Sequence, residues 1–332
     1  MSRRIAVLGS GSWGTALAIQ FARAGRETIM WGIETDEIAS MAKARCNTTY
    51  LPNAPFPDEL AVTIDLEEAL SGAEDVLVVV PSHAFRETLQ RLADASATIE
   101  NLAWATKGFE TASGLLPHQV AEEVLGNSIP TAVLSGPTFA AEVGIGLPSA
   151  IVIASNDESY ATRLAESITT ENFRAYTSTD ITGVEVGGAT KNVLAIGAGI
   201  SDGLGFGANT RIALITRGLS EMTRLGVALG AKKDTFMGLS GMGDLVLTCT
   251  DDQSRNRRFG LALGKGADIE QAREAIGQVV EGYYAAQAVH GVAERLELDM
   301  PIVEEIYNVV YAGGSAQEAV VRLTARRPIT PE

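Results

Sequence analysis

Ile5-Ala6-Val7-Leu8-Gly9-Ser10-Gly11-Ser12-Trp13-Gly14 decides how the chain is read. Four apolar residues predict a buried strand. Three glycines at G-x-G-x-x-G spacing follow it without a break, and a helical pattern over residues 15–24 comes next. In that context the first glycine permits a tight turn, the second lets backbone approach a pyrophosphate, and the third lets helix pack on strand. The helix start offers unpaired N–H groups to the anion. Gly9, Gly11, Ser12, Trp13 and Gly14 are therefore candidates for holding a dinucleotide. A glycine-rich turn with no ligand is the plainer alternative.

Moving outward, short β-branched runs at 28–31, 76–80, 102–105, 132–134 and 150–154 alternate with helical stretches. This predicts a parallel sheet covered by helices on both faces. Val76 to Val80 shows no polar alternation, as expected of a central strand, and Pro81 closes it. The second strand leads into Trp31-Gly32-Ile33-Glu34, and Glu34 stands twenty residues beyond Gly14. A carboxylate there accepts hydrogen bonds from a ribose 2′-hydroxyl and repels a 2′-phosphate, so the turn favours NAD over NADP. Glu34 could equally do no more than begin the next helix.

After Thr179 the texture turns helical. Ile212, Ile215, Leu219 and Met222 fall on one face, and further helices are expected at 188–200, 257–263, 269–275, 282–296 and 301–311, the last opened by Pro301. The fold expected is an α/β Rossmann-like domain with a mostly parallel sheet over residues 1–182, then an all-α domain over 183–332. A 332-residue chain exceeds the roughly 250–300 residues at which single cores stop growing, which agrees with two domains. With no biased tract in the chain, disorder is expected nowhere except at residues 326–332.

Composition narrows the function. Hydrophobic residues make up 46% and charged ones 20%, as in an ordinary globular protein. Against 26 basic residues stand 41 acidic ones, a net charge of −15 that repels nucleic acid and anionic membrane surfaces. A phosphorylated substrate must then be caught by a local basic cluster, and Ser254-Arg255-Asn256-Arg257-Arg258 is the densest one. Arg255 and Asn256 suit a phosphate at a helix start, whereas Arg257 and Arg258 read as a solvated basic face. Cys46 and Cys249, far apart, indicate neither a disulfide framework nor a metal site. No run approaches the ~18 apolar residues of a membrane span, and the expected location is the cytoplasm.

Beyond the glycine turn come Ala105-Thr106-Lys107-Gly108, Ser135-Gly136-Pro137-Thr138-Phe139-Ala140, Ala189-Thr190-Lys191-Asn192 and Gly241-Met242-Gly243-Asp244-Leu245, followed by Ser254-Arg255-Asn256. Together, in this order and spacing, they closely resemble the bacterial NAD(P)-dependent glycerol-3-phosphate dehydrogenases, from Ile5 to about Tyr311. The resemblance implies reversible reduction of dihydroxyacetone phosphate to sn-glycerol 3-phosphate with NAD or NADP, by a homodimer that feeds glycerophospholipid synthesis. It gives Ser12, Trp13, Lys107, Ala140, Val279 and Glu281 to the cofactor, with Arg255 close by. To the substrate it gives Lys107, Gly136, Thr138, Lys191, Asp244, Ser254, Arg255 and Asn256. Lys191 is implied as proton acceptor, with Lys107 and Asp244 as its catalytic companions. One departure is Ile33, where family members often carry a basic or imidazole residue.

The residues themselves agree in part. Reducing a ketone leaves an alkoxide, which needs a proton donor. His83 follows a strand and could approach a cofactor, while His118 and His290 lie in helical patterns, and spacing pairs none of the three with a carboxylate. Lys191 interrupts an apolar, small-residue helix where a solvated lysine has little reason to be, and burial would tune it for proton exchange. An ordinary lysine on an exposed face remains the alternative. Asp244, after a glycine-rich stretch, reads as a helix N-cap, a functional carboxylate, or both. Tyr283, Tyr284 and Tyr311 face either a partner subunit or neighbouring helices. Two rivals stand beside the main reading: a β-hydroxyacid dehydrogenase, which would grip a carboxylate instead of a phosphate, and a non-catalytic dinucleotide-sensing protein.

Overall fold

The computed structural model describes residues 4–95 and 98–325; the expectation for residues 326–332 falls outside them. By packing, the chain divides into two compact units. One comprises the residues up to Lys107 together with Pro117–Glu185, and the other comprises Gly108–Leu116 together with the residues from Val186 onward.

The first unit is built on eight strands: β1 (Arg4–Leu8), β2 (Thr28–Trp31), β3 (Leu60–Thr63), β4 (Ala73–Val78), β5 (Asn101–Trp104), β6 (Thr131–Ser135), β7 (Ser149–Ser155) and β8 (Phe173–Ser178). They form one sheet in the order β3-β2-β1-β4-β5-β6-β7-β8. Every neighbouring pair is parallel except β6 and β7, which run antiparallel. The order reverses beside β1, and the crevice at the carboxyl ends of strands at such a reversal is where open α/β sheets bind ligands. Ile5 to Leu8 are fully buried because helices cover both faces, which is why the run needs no polar alternation.

Two strands escape the sequence pattern. β3 is only four residues and β8 alternates polar and apolar residues; both lie at sheet edges, where burial is incomplete and a continuous apolar run is not required. The run Val76 to Val80 pairs only as far as Val78; beyond it the Val79 N–H still donates to the Leu8 carbonyl (2.8 Å). The core of this unit joins Phe21, Leu17 and Ile19 of the Ser12–Arg23 helix to Tyr160, Leu164 and Ile168 of the Glu158–Ile168 helix.

Among its described residues the second unit contains helices and no strand. At its centre runs the part of the helix Ile181–Gly203 from Val186 onward, whose residues from Val186 to Ser201 are all buried. A helix apolar on every side must sit inside a bundle, and Ala208–Ala228, Arg255–Gly264, Glu281–Arg295 and Pro301–Tyr311 supply that surrounding. One expected face is revised: Ile215 and Met222 are buried, but Ile212 is 54% exposed, so the apolar stripe of Ala208–Ala228 is narrower than its spacing predicts. Tyr283 packs on both Tyr284 and Tyr311, its ring centroid 4.9 Å from that of Tyr311, and the Tyr311 hydroxyl donates to the Tyr283 carbonyl (2.8 Å).

Candidate functional site

In the first unit the site begins where β1 ends. Gly9 has φ +127°, a region side chains rarely adopt, and a Cβ there would run into the Val79 carbonyl. A Cβ on Gly14 would strike the Gly9 carbonyl oxygen, so turn and helix are in backbone contact. The Ser12–Arg23 helix, which thus takes in Ser12, Trp13 and Gly14, has Gly11 as N-cap and no side chain capping it. Its first-turn N–H groups and its dipole are left to an anion. The Trp13 indole N–H, from the middle of the motif, is buried without a partner. A dinucleotide fits this cradle on both counts.

Around it the carboxyl ends of other strands bring the remaining candidates of this unit. The Gly9 N–H donates to the Trp31 carbonyl (2.9 Å), which ties the turn to the end of β2. There Ile33 is 65% exposed, and the exposed Glu34 caps the Thr35–Ala44 helix through its backbone while its carboxylate makes no capping bond. Thr106, after β5, donates to the Val80 carbonyl (2.7 Å) and fixes the half-buried Lys107 beside it. Gly136 and Thr138 follow β6, the Thr138 hydroxyl donating to the Gly136 carbonyl (3.3 Å), and Ala140 opens the short helix Ala140–Ile145.

The second unit holds the other group. Lys191 is 6% exposed and Asp244 0%; Lys191 Nζ donates to Asp244 Oδ1 (2.5 Å) and to the Thr248 hydroxyl (3.2 Å). The Thr248 hydroxyl in turn donates to the Asp244 carbonyl (2.6 Å). Asp244 is not an N-cap. The cap position belongs to Gly243, the last residue of a π-helical turn Leu239–Gly243, and Asp244 begins the helix Asp244–Thr250 with its side chain turned to Lys191. The π-helical turn sets Asp244 at the start of its helix, and the positive end of the helix favours its charge.

Ser254 is the N-cap of Arg255–Gly264, its hydroxyl accepting from the Arg257 N–H (3.2 Å). Arg255, half-buried, donates to Gln278 Oε1 (3.3 Å), near the 38%-exposed Val279. Burial pushes the Glu281 carboxyl up to about 7 against the opposing charge of Arg255. Asn256 is buried and spans two helices, Nδ2 donating to Asn192 Oδ1 (2.9 Å) and Oδ1 accepting from the Gly282 N–H (2.8 Å).

Two matches cover nearly the whole chain. The family model described as the N-terminus of NAD-dependent glycerol-3-phosphate dehydrogenase matches residues 4–161, and the one described as its C-terminus matches residues 180–321. The chain belongs to this family. It is 54% identical over 321 residues to the glycerol-3-phosphate dehydrogenases (NAD(P)+) of Escherichia coli strain K12 and of Shigella boydii serotype 4, with 96% of this chain and 95% of those proteins covered. The crystal structure of glycerol-3-phosphate dehydrogenase from Coxiella burnetii superimposes with a TM-score of 0.94 at 46% identity, covering 98% of this chain and 99% of that one.

Within the family frame, several expectations change. Arg257 is not part of a solvated face: it is 8% exposed and ion-paired, while Arg258 is exposed as expected. His118 does have a carboxylate partner, Glu185, 67 residues away (2.5 Å), and His290 has Glu294 one turn on (3.5 Å). Burial draws the His118 imidazole down, but the hydrogen bond and charge of Glu185, with the charge of Glu122, outweigh it and leave it raised. Glu185 also accepts from the Trp104 indole (2.8 Å), so His118 braces the first unit. His83 is exposed in the first turn of Ser82–Asp94. Thr248, absent from the residues that the sequence singles out, carries a signal of its own there: it stands four residues after Asp244, on the same helix face. Among the described residues no three metal-ligating side chains gather, and no helix is long and apolar enough to cross a membrane.

Proposed function

We propose that the chain catalyses the reversible NAD(P)H-dependent reduction of dihydroxyacetone phosphate to sn-glycerol 3-phosphate. The observation that carries this is the buried Lys191–Asp244–Thr248 group in a member of this family. In this reading residues 1–182 form the dinucleotide-binding domain and 183–332 the substrate-binding domain.

Gly9, Gly11, Ser12, Trp13 and Gly14 take the pyrophosphate side of the cofactor and Glu34 its adenosine ribose, with Lys107, Ala140, Arg255, Val279 and Glu281 completing the contacts. When bound, the reduced nicotinamide supplies a hydride to the carbonyl carbon. Lys191 then gives a proton to the oxygen that becomes the new hydroxyl, and takes it back in the reverse direction. Asp244 orients the ammonium and offsets its charge in a site from which water is largely excluded, where such a partner acts strongly. Lys107 adds positive charge near the developing alkoxide. Gly136, Thr138, Ser254, Arg255 and Asn256 hold the rest of the substrate, with the charge-assisted donors of Arg255 at the helix start suited to the phosphate.

A homodimer, a cytoplasmic location and supply of glycerophospholipid synthesis complete the proposal, on the strength of the family resemblance. The test is NADH or NADPH consumption with dihydroxyacetone phosphate beside a panel of hydroxy- and keto-acids. Turnover confined to the phosphorylated ketone is expected, and turnover confined to the acids would replace this reading with the β-hydroxyacid one.

A further inference from the structure

We propose that Arg257 is a positioning residue for the phosphate grip, holding Ser254, Arg255 and Asn256 in register through a buried ion cluster anchored on Asp202. The inference rests on the reading above that this helix start receives a phosphorylated ketone. Arg257 itself is assigned no contact with substrate.

The cluster is compact. Arg257 Nη2 pairs with Asp202 Oδ2 at 2.5 Å, Nη1 pairs with Asp252, and Nε donates to the Cys249 carbonyl at 3.2 Å. Asp202 Oδ2 also takes Nη1 of Arg211 at 2.7 Å. The side chains of Arg257 and Asp202 are only 9% and 10% exposed, whereas that of Asp252 is 71% exposed.

Each partner lies on a different segment that carries or leads to a candidate site residue. Asp202 lies in the last turn of the helix that carries Lys191. Cys249 is next to Thr248 on the helix that begins with Asp244, and Asp252 lies in the loop leading to the Ser254 cap. One guanidinium therefore joins three segments, and its own backbone N–H donates to the Ser254 hydroxyl. A guanidinium keeps its charge when buried and presents its donors in a rigid fork, so it fixes directions as well as distances. A buried ion cluster is a weak source of net stability because desolvation offsets the attraction. Here the three directions it sets all converge on the neighbours of the site.

Lysine at this position keeps the charge and loses the fork. The loop 251–253 and the helix start would then shift, and displacement of a binding group by about 1 Å can cost on the order of 100-fold. The experiment compares R257K and D202N with the parent chain. Dihydroxyacetone phosphate and unphosphorylated dihydroxyacetone are the substrates, NADH affinity is followed by quenching of tryptophan fluorescence, and folding by circular dichroism. For R257K we expect the KM for the phosphorylated ketone to rise by roughly tenfold or more. Its kcat, its activity on dihydroxyacetone and its NADH affinity should stay close to the parent's. D202N should move the same constant in the same direction, less far because the Asp252 and Cys249 contacts survive. An unchanged KM in folded R257K, or equal losses on both ketones, overturns the positioning role. A parent chain that does not prefer the phosphorylated ketone overturns the underlying reading instead, and the two failures are told apart before any variant is made.

Discussion

The chemistry of single residues is tested most directly at Lys191. Its amine is buried and shared between Asp244 and Thr248, so Lys191→Ala removes the proposed proton carrier and leaves a buried carboxylate without its cation. Turnover should fall by about 10²- to 10⁴-fold, the range for a general acid, while NADH binding by fluorescence stays near normal. A near-normal rate in that variant would remove lysine from the mechanism. Arg255→Ala tests the grip: the KM for dihydroxyacetone phosphate should rise far more than that for dihydroxyacetone, and steady-state kinetics on both ketones decides it. At this scale the sequence was informative about Lys191 because a charge inside an apolar, small-residue helix is an anomaly. It was uninformative about Arg257, whose partners Asp202 and Cys249 are remote in sequence or offer only a backbone oxygen. Glu185 and His118 were hidden for the same reason, being 67 residues apart.

Among elements, the start of the Pro301–Tyr311 helix shows how one helix completes another. Pro301 stands in its first turn and no side chain of its own caps it. Glu221, from Ala208–Ala228, accepts instead from the N–H groups of Ile302 (2.8 Å) and Val303 (3.1 Å). Glu221 is 3% exposed, and burial pushes its carboxyl up to about 7 despite those two bonds. With the folded value above the unfolded one, the native chain binds more protons than the unfolded chain between about pH 4.5 and 7. Stability contributed by this group is therefore full at the acid end and is lost as pH rises through that window, by on the order of 3 kcal/mol. Glu221→Gln keeps the shape and cannot ionise. Its melting temperature relative to the parent should climb as pH goes from 5 to 8, and a flat or falling difference in calorimetry would contradict this account. The boundary at Pro301 was legible because local chemistry marks it, whereas the helix expected at 257–263 begins two residues earlier, at Arg255 behind the Ser254 cap. The edge strands β3 and β8 were not legible, since solvent on one side permits almost any pattern.

For the whole molecule, alternation followed by helical periodicity was enough to read the class of fold and the order of its two kinds of architecture. What no local signal conveyed is that Gly108–Leu116 packs with the later part of the chain. Phe109 and Leu116 are each 1% exposed and belong to the second unit's core, and Arg295 donates to the Ser113 carbonyl (3.0 Å). A fragment ending at residue 182 should accordingly bind a hydrophobic dye and aggregate. The same fragment with serine at positions 109 and 116 should do so markedly less, and identical light scattering from the two would argue that the segment finds cover elsewhere.

That excursion also constrains birth on the ribosome. Ser113 and its partner Arg295 are 182 residues apart, so at roughly 5–20 residues per second a newly made Ser113 waits about 9–36 s before the helical residue that bonds its carbonyl emerges. During that interval the nascent protein carries a greasy hook out of its half-finished body. Chaperones that recognise short apolar loops have a defined moment, and a defined sequence, at which to hold it.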